Sequence, residues 1–231
     1  MNKPIVFFDL ETTGADPSKD TTLQFAAIRI EPDGTKKEMK FFCNPGQPIE
    51  SGASEIHGIS DEMVASLPRI QESKEDILNF FKGADIGGYN ILQFDIPILK
   101  REIPELNLDN VTVFDLLVMD RKVRNHKLAS AFEAWTGEPM DPERAHDAIY
   151  DNECTIALLP HLLDKYTAIE PDWKENQIIG VSEFIKKDGE IYFNFGKSRG
   201  ELATSNPGYL DWMLSKDFSE TTKTFIRKNL I

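Results

Sequence analysis

A short apolar run near the N-terminus, IVFF, passes directly into the acidic triplet Asp9-Leu10-Glu11. Apolar, β-prone runs of this length are typical of buried strands. Because side chains two apart on a strand point to the same face, both carboxylates can reach one pocket at the carboxyl end of the strand. Hard divalent cations prefer such oxygen ligands. The triplet alone is a weak signal, since the chain has 39 acidic residues and a strand-end Asp often only caps a turn.

Strand-like and helix-like segments alternate after this run. LQFAAIRIEPDGTKKEMKFFCNP predicts two strands joined around Asp33-Gly34. Residues 45–54, rich in Pro, Gly and Ser, predict a loop. Further strands are predicted in ADIGGYN and NVTVFD, and helices over 61–66, Lys74–Phe81, 92–102, 128–135 and 147–166. This order predicts an α/β fold in which helices flank a mixed sheet.

The C-terminal part predicts a separate small module. Residues 166–176 are typical of a linker, and VSEFIKKDGEIYFNFGK predicts a hairpin that turns at Asp188-Gly189. Two short helices are predicted over 209–215 and 220–230, with Ser219 as N-cap. We therefore place a boundary near residue 172, between a domain of residues 1–171 and an α+β accessory module of residues 172–231.

Basic and aromatic residues occur together in this module, and the mixture could hold single-stranded nucleic acid. They could equally form a small core with a solvated rim. The residues are Lys186, Lys187, Lys197, Arg199, Phe184, Tyr192, Phe193 and Phe195.

The charge of the chain limits its partners. The formal net charge is −13, and residues 1–169 hold 17 Lys and Arg against 29 Asp and Glu, whereas residues 170–231 hold 9 against 10. Phosphate binding usually requires a basic surface. The acidity argues against long or duplex nucleic acid, but less against an enzyme that grips one chain end through metal ions.

Cysteine content and hydropathy indicate the compartment. Cys43 and Cys154 have no CxxC spacing, so we expect neither a disulfide framework nor a zinc site, and a reducing, cytoplasmic location. The first apolar run is too short for a signal-peptide core. No stretch approaches the roughly 20 apolar residues that cross a bilayer, so no membrane partner is expected.

Two further motifs carry chemistry. Asn90-x-x-x-Phe94-Asp95 lies where a glycine-rich strand end passes into a helix, and offers a carboxylate, an amide and an apolar face. His146 lies five residues before Asp151 at the start of the long helix, where an imidazole can accept a proton from water. Alternatively, these segments are an ordinary helix start and a surface histidine.

Three neighbouring features have structural explanations. The side chain of Asp147 should point away from the proposed base. The stripe Ile149, Ile156, Leu159 and Leu163 should face the core, and Asp115 should cap a helix.

A phosphate-binding loop is excluded. FNFGKSRG contains the GKS of such a loop, but the motif requires Gly at position 191, which is Ile191. The segment also lies in a strand-like run and not between a strand and a helix.

FDLETTG, NxxxFD and HDAxxD, in this order, resemble the three motifs of the DEDDh exonuclease superfamily, which includes the proofreading epsilon subunit of DNA polymerase, oligoribonuclease and ribonuclease T. The resemblance spans roughly residues 4–165 and includes HGIS from His57 and KLASAFEAWTG from Lys127. It implies a ribonuclease H-like fold with a five-stranded mixed sheet.

The resemblance also implies a site. Two divalent ions, Mg²⁺ or Mn²⁺, would be held by four carboxylates, with His146 as general base and Glu11 shared between metal binding and catalysis. The backbone around three residues would contact the terminal nucleotide, and His57, Asn90 and Phe94 would contact its base or sugar. The metal ligands are Asp9, Glu11, Asp95 and Asp151, and the backbone contacts are Leu10, Thr12 and Thr13.

The sequence thus predicts a metal-dependent 3′→5′ exonuclease that releases nucleoside 5′-monophosphates from a nucleic-acid 3′ end. Single-stranded or frayed DNA is favoured, and short RNA is the alternative. A non-enzymatic nucleic-acid- or polymerase-binding subunit on the same fold would be expected to have lost ligands. A glycosidase-like carboxylate hydrolase would not explain the accompanying Asn, Phe and His. Homodimer formation and association with a polymerase stay open.

Overall fold

The computed structural model describes residues 2–123, 127–169, 173–174, 181, 183–218 and 220–231. The chain divides into two compact units, unit 1 (Met1–Pro171) and unit 2 (Asp172–Ile231). Most of the predicted linker after residue 169, and the predicted N-cap Ser219, lie outside the described residues.

Unit 1 is built on a five-stranded sheet with the order β3-β2-β1-β4-β5. The strand β2 is antiparallel to its neighbours β1 and β3, whereas β1, β4 and β5 are parallel to one another. The predicted mixed sheet is confirmed. The strands are β1 (Ile5–Thr12), β2 (Thr22–Ile30), β3 (Lys36–Phe42), β4 (Asp85–Gly88) and β5 (Val113–Asp115).

The central strands are buried because helices cover the sheet. Phe7 and Phe8 of β1 are each at most 1% exposed. A Cβ at Gly87 would lie 2.4 Å from the ring of Phe7, so β4 can approach β1 only with glycine at this position. This requirement explains the Gly-Gly pair that ends β4.

The described helices of unit 1 include the five whose bounds were predicted, together with two more, α1 and α5. They are α1 (Ser51–His57), α2 (Asp61–Val64), α3 (Lys74–Phe81), α4 (Asp95–Glu102), α5 (Leu116–Val123), α6 (Leu128–Thr136) and α7 (Ala148–Ile169). Helix α4 begins at Asp95, three residues later than predicted, because residues 91–94 form a turn.

The prediction of a loop over residues 45–54 was wrong for its last four residues. Helix α1 begins at Ser51 and ends at Gly58, whose φ of 72° lets its N–H donate to the carbonyl of Ser54. The hydroxyl of Ser54 donates to the carbonyl of Ile59. The Gly and Ser residues that suggested a loop instead lie within this helix and end it, which presents His57 in its last turn.

The long helix α7 packs on β1 and β2 through a face shifted from the predicted stripe. Of the predicted core residues only Leu159 is buried, whereas Ile149, Ile156 and Leu163 are half-buried. The side-chain amide of Asn152 donates to the carbonyls of Ala26 (3.3 Å) and Ala148 (2.8 Å). A buried polar contact to the sheet therefore sets the rotation of the helix, and an apolar pattern could not reveal it. The buried residues are Ala148, Asn152, Cys154, Thr155, Leu158, Leu159, Leu162 and Tyr166.

Unit 2 contains the predicted hairpin of β6 (Phe184–Lys187) and β7 (Glu190–Phe193), followed by α8 (Pro207–Ser215) and α9 (Glu220–Asn229). Asp188 and Gly189 both have positive φ, as a two-residue hairpin turn requires. Phe184 and Phe193 are core residues at 1% and 0% exposure, as the alternative of a small core predicts.

Both cysteines are free and buried. Within the described ranges, no helix has the length and apolar character needed to cross a membrane.

Candidate active site

The carboxyl end of β1 extends beyond its parallel neighbour. Pairing between β1 and β4 ends at Phe7 with Gly87, whereas pairing with β2 continues to Thr12. Asp9 and Glu11 therefore lie on the overhanging part of the strand, on one face of the sheet. The turn after β4 fills the space beside them and leads into Asp95.

Asp95 is fixed directly against this overhang. The main-chain N–H of Leu10 donates to Oδ1 of Asp95 over 3.0 Å, and Asp95 is only 2% exposed. The N–H of Leu10 is available for this bond because the pairing of β4 with β1 ends before Leu10. It brings the carboxylate of α4 between the flanking Asp9 and Glu11 of β1.

Asp115 holds the turn that carries Asn90. Its carboxylate accepts the N–H groups of Asn90 (3.0 Å) and Leu92 (2.9 Å) from the turn. It also accepts those of Leu117 and Val118 in the first turn of α5. The predicted helix cap is confirmed, and the same side chain fastens the turn that precedes Asp95.

The start of α7 carries the remaining predicted residues. Oδ1 of Asp147 accepts the N–H groups of Ile149 and Tyr150, each over 3.0 Å, and so caps the helix. His146 precedes it with a φ of 66°, in the left-handed region that few non-glycine residues occupy. Its side chain is exposed, while Asp151, one turn into the helix, is half-buried.

Lys40 and Asp147 join the edge of the sheet to this helix start. Nζ of Lys40 donates to Oδ2 of Asp147. The register places Asp9, Ala26 and Lys40 in one row across β1, β2 and β3, so their side chains share a face. The second carboxylate oxygen of Asp147 is thus held by a lysine of this row, whereas its predicted orientation away from the proposed base stays a prediction.

Asp95 and Asp151 lie close enough to Asp9 and Glu11 to raise the pKa of both. Burial raises the pKa of Asp9 well above its usual value, and Asp95, Glu11 and Asp151 add to the rise. Burial, then Asp151 and Asp95, raise the pKa of Glu11 to about 8, while Lys40 opposes the rise. Ionising these acids together is therefore unfavourable without positive charge between them.

The other two acids have favourable local partners that limit the rise. Burial raises the pKa of Asp95 to about 7, against the stabilising N–H of Leu10. Burial raises the pKa of Asp151 to about 6, against the imidazole and main-chain N–H of His146. His146 is thus near enough to Asp151 to interact with its charge.

A divalent cation fits this donor set. Oδ1 of Asp151 is buried without a hydrogen-bond partner, and the carboxylates around it repel one another. A cation would satisfy the oxygen and relieve the repulsion. In the described part of the chain no three His, Cys, Asp or Glu side chains form a ready-made group that could hold a metal ion. An open set of carboxylates suits Mg²⁺, which keeps water and substrate phosphate in its shell.

Both ring nitrogens of His57 are engaged. Nδ1 accepts the N–H of Ile59 (3.1 Å), so the proton lies on Nε2, which donates to the carbonyl of Thr12 (3.3 Å). Burial, and then the nearby His146, lower the pKa of His57, although the bond to Thr12 opposes this. His57 is therefore a neutral, fixed ring beside His146.

The predicted nucleotide contacts separate into two groups. Thr13 is fully buried: its hydroxyl donates to Asp20 and accepts from Gln47, and its N–H donates to the carbonyl of Thr21. The hydroxyl and the N–H of Thr13 are thus used within the fold, and its predicted backbone contact with a nucleotide stays a prediction. Leu10 and Thr12 are also buried, and they form the floor behind the acids.

Asn90, Phe94 and His57 are half-buried, and Phe94 directly precedes Asp95 in the chain. Asn90 has a φ of 67°, which asparagine adopts more readily than most residues. These three side chains remain available to a ligand.

The comparison with known proteins agrees with this geometry. The family model RNase_T, described as Exonuclease, matches residues 6–159, and so includes all four acids and His146. The chain belongs to this exonuclease family. It is a member of the DEDDh 3′→5′ exonuclease superfamily, as the motifs predicted.

Two curated relatives are similar to unit 1 of this exonuclease-family chain. DNA polymerase III PolC-type of Caldanaerobacter subterraneus subsp. tengcongensis is 30% identical over 71% of the chain, which spans 12% of that protein. A DNA polymerase III subunit epsilon-like protein of Rhodobacter capsulatus is 33% identical over 68% of the chain, spanning 24% of its length. The chain thus spans less than a quarter of either relative.

A solved structure shares the fold. E. coli Exonuclease I in complex with a dA16 oligonucleotide superimposes with a TM-score of 0.60 at 22% identity, covering 73% of this chain and 43% of that one. The predicted ribonuclease H-like fold is confirmed.

Proposed function

We propose that unit 1 is a metal-dependent 3′→5′ exonuclease that hydrolyses the terminal phosphodiester of single-stranded or frayed DNA and releases nucleoside 5′-monophosphates. The observation that carries the proposal is the convergence of Asp9, Glu11, Asp95 and Asp151. These residues come from β1, α4 and α7, and the charges of Asp95 and Asp151 raise the pKa of Asp9 and Glu11 beside an exposed imidazole. A chain without use for cations gains nothing from such repulsion.

The four acids would hold two divalent ions, Mg²⁺ or Mn²⁺. When bound, such ions neutralise phosphate charge and lower the pKa of water. Asp95 is the most deeply buried of the four, and the N–H of Leu10 keeps it oriented. Asp151, with one oxygen free of hydrogen bonds, is the acid best placed to bind at the outer side.

His146 would accept the proton of the attacking water. Its imidazole is exposed at the start of α7, where the left-handed backbone turns the residue out of the helix. Histidine titrates near neutral pH, as a general base must. His57 cannot take this role, because both of its ring nitrogens are engaged.

The sugar and base would lie against the half-buried ring of Phe94 and against His57, with Asn90 as a polar contact. A chain end recognised in this way is bound by shape and stacking and not by base edges. The complex of E. coli Exonuclease I with dA16 supports a single-stranded DNA substrate for the shared fold. Short RNA is the alternative substrate, and its 2′-hydroxyl would distinguish the two.

The test is digestion of 5′-labelled single-stranded DNA and matched RNA, with Mg²⁺, Mn²⁺ or chelator. The proposal expects a ladder shortened from the 3′ end, nucleoside 5′-monophosphates, and no reaction in chelator. Asp9→Ala and His146→Ala should each lower the rate by at least about a hundredfold. Asp76→Ala removes an exposed acid of α3 and serves as the matched control.

Products released as internal fragments, or full activity of Asp9→Ala, would refute the proposal. A faster reaction on RNA would show that RNA, and not DNA, is the preferred substrate. Tight binding without turnover would instead favour a non-enzymatic nucleic-acid-binding subunit. Association with a polymerase is a further proposal supported by the polymerase relatives, and co-purification with one would test it.

A further inference from the structure

Unit 2 contains an open cleft of about 490 Å³ that the exonuclease site does not use. It is lined by Lys197, Asn206, Gly208, Tyr209 and Trp212. Its volume is within the roughly 300–1,000 Å³ of small-ligand sites, so one nucleotide fits where a folded partner would not. We propose that this cleft binds one nucleotide of a single-stranded nucleic-acid chain, by stacking its base on Trp212 and pairing its phosphate with Lys197.

The aromatic pair provides the stacking surface. The rings of Tyr209 and Trp212 lie 5.0 Å apart at an interplanar angle of 10°, which is a parallel stack. Trp212 is nevertheless 40% exposed, so part of its ring is left uncovered. A base that extends an existing parallel stack is held without base-specific hydrogen bonds.

The pair is held in place by the core of unit 2. Tyr209 packs edge-on against buried Phe193 at 5.0 Å, and Trp212 packs edge-on against Phe218 at 5.7 Å. A Cβ at Gly196 would lie 2.5 Å from the hydroxyl of Tyr209, so glycine is needed there for the ring to approach. Gly196 of the FGKS segment is thus explained by packing, and the residues after it form turns and not the helix of a phosphate-binding loop.

The polar part of the cleft suits an anion. Nζ of exposed Lys197 lies 5.9 Å from the centroid of Tyr209, at the border of the stack. Gly208 and Tyr209 belong to the first turn of α8, where main-chain N–H groups give a partial positive charge. Asn206 caps this helix by accepting the N–H of Tyr209. The cleft thus combines an aromatic face with a cation, as a nucleotide needs.

A proline-rich peptide is the competing occupant, since such peptides also bind aromatic grooves. Proline needs no cation beside the rings, and Lys197 favours the nucleotide. The near-balanced charge of residues 170–231, 9 basic against 10 acidic, also repels phosphate less than the acidic unit 1 does.

The test measures the fluorescence anisotropy of labelled single-stranded DNA, about 20 nucleotides long, as it binds the full chain. Chelator is present, so that no metal-dependent cleavage takes place. Trp212→Ala should weaken binding about tenfold, since stacking on one aromatic residue contributes about fivefold or more. Lys197→Glu should weaken it by a similar factor, because it places a negative charge beside the phosphate. Trp212→Phe keeps a ring and should lose less. Lys187→Glu makes the same charge change at an exposed residue that does not line the cleft, and is the matched control.

Dinucleotide cleavage with Mg²⁺ should be unchanged in all four variants, and thermal unfolding like that of the unmodified chain verifies that unit 2 still folds in each. The inference fails if Lys197→Glu and Trp212→Ala bind DNA as the unmodified chain or as Lys187→Glu does. It also fails if a polyproline peptide, and not DNA, loses affinity in these variants. Because DNA binding is measured without turnover, the comparison of these variants can be interpreted even if the exonuclease proposal fails.

Discussion

The N–H of Leu10 donates to the carboxylate of Asp95 across 85 residues of sequence. This bond joins the overhanging end of β1 to the first residue of α4. It places Asp95 where burial raises its pKa and where its charge raises the pKa of Asp9 and of Glu11. A single contact thus serves both the fold and the site, and the two roles can be separated by substitution.

Asp95→Asn should keep the fold and lose the activity. The amide oxygen can still accept the N–H of Leu10, but it carries no charge for a cation. Asp95→Ala should also lose about 1–3 kcal/mol of unfolding free energy, because the buried N–H is left without a partner. Urea denaturation in chelator, together with the nuclease assay, measures both effects. Equal destabilisation by the two substitutions would show that the bond does not support the fold.

Asp151→Asn should stabilise the metal-free protein while it abolishes turnover. Because burial raises the pKa of Asp151 to about 6, the folded state holds a proton that the unfolded state releases near its ordinary value of 3.8. The free-energy cost of the buried charge of Asp151 to the folded state is therefore absent below about pH 4 and grows as the pH rises towards 6. The variant should therefore gain on the order of 1–2 kcal/mol near pH 7 and nothing at acid pH. Thermal unfolding from pH 4 to 8 in chelator tests this, and a gain that does not depend on pH would contradict it.

Lys40→Met should weaken catalysis through the position of Asp147. The substitution removes the ion pair that ties β3 to the cap of α7, and it removes the charge that lowers the pKa of Glu11. We expect kcat to fall about tenfold and more Mg²⁺ to be needed for half-maximal rate, as for other residues that orient a metal ligand.

Lys37→Met is the matched control for Lys40, because Lys37 lies on the same strand and pairs with Glu31 over 3.2 Å. Its kinetics should equal those of the unmodified chain. If both lysine variants lose activity to the same degree, the loss is caused by a change in β3 as a whole and not by the broken ion pair with Asp147.

His57→Ala and His146→Ala should have different kinetic effects. The ring of His57 is fixed by two hydrogen bonds and borders the site, so its loss should mainly raise KM for the oligonucleotide. The loss of a general base should lower kcat by about 10²–10⁴ with little change in metal binding. Steady-state kinetics separate the two. If kcat falls as far in His57→Ala as in His146→Ala, His57 is not merely a substrate contact and the assignment of the two histidines is wrong.

The sequence predicted the sheet, most helices and the acids of the site because these follow from local patterns and ordered motifs. The hairpin around Asp33-Gly34 and the strand that ends at Asp9 are examples. Local sequence does not determine which residues pair across β1, β2 and β3. The position of Lys40 on the same face as Asp9 therefore follows only from the register, in which Asp9 pairs with Ala26 and Ala26 with Lys40.

Long-range polar contacts account for what local patterns could not predict. The buried amide of Asn152 sets the face of α7, and it reaches Ala26, 126 residues away. Thr13 lies in the first motif, and its hydroxyl is bound within the fold by Asp20, Thr21 and Gln47. A motif locates the site, whereas these contacts decide which of its side chains are free to reach a ligand.

The most direct test of the account is a calorimetric titration of the full chain with Mn²⁺ in the presence of a nucleoside 5′-monophosphate. Four convergent carboxylates and a bound phosphate predict that two ions bind to the unmodified chain, and that Asp9→Asn weakens their binding severely. If the unmodified chain binds no ions, or if Asp9→Asn binds two as tightly, these acids do not form a metal site and the account is wrong.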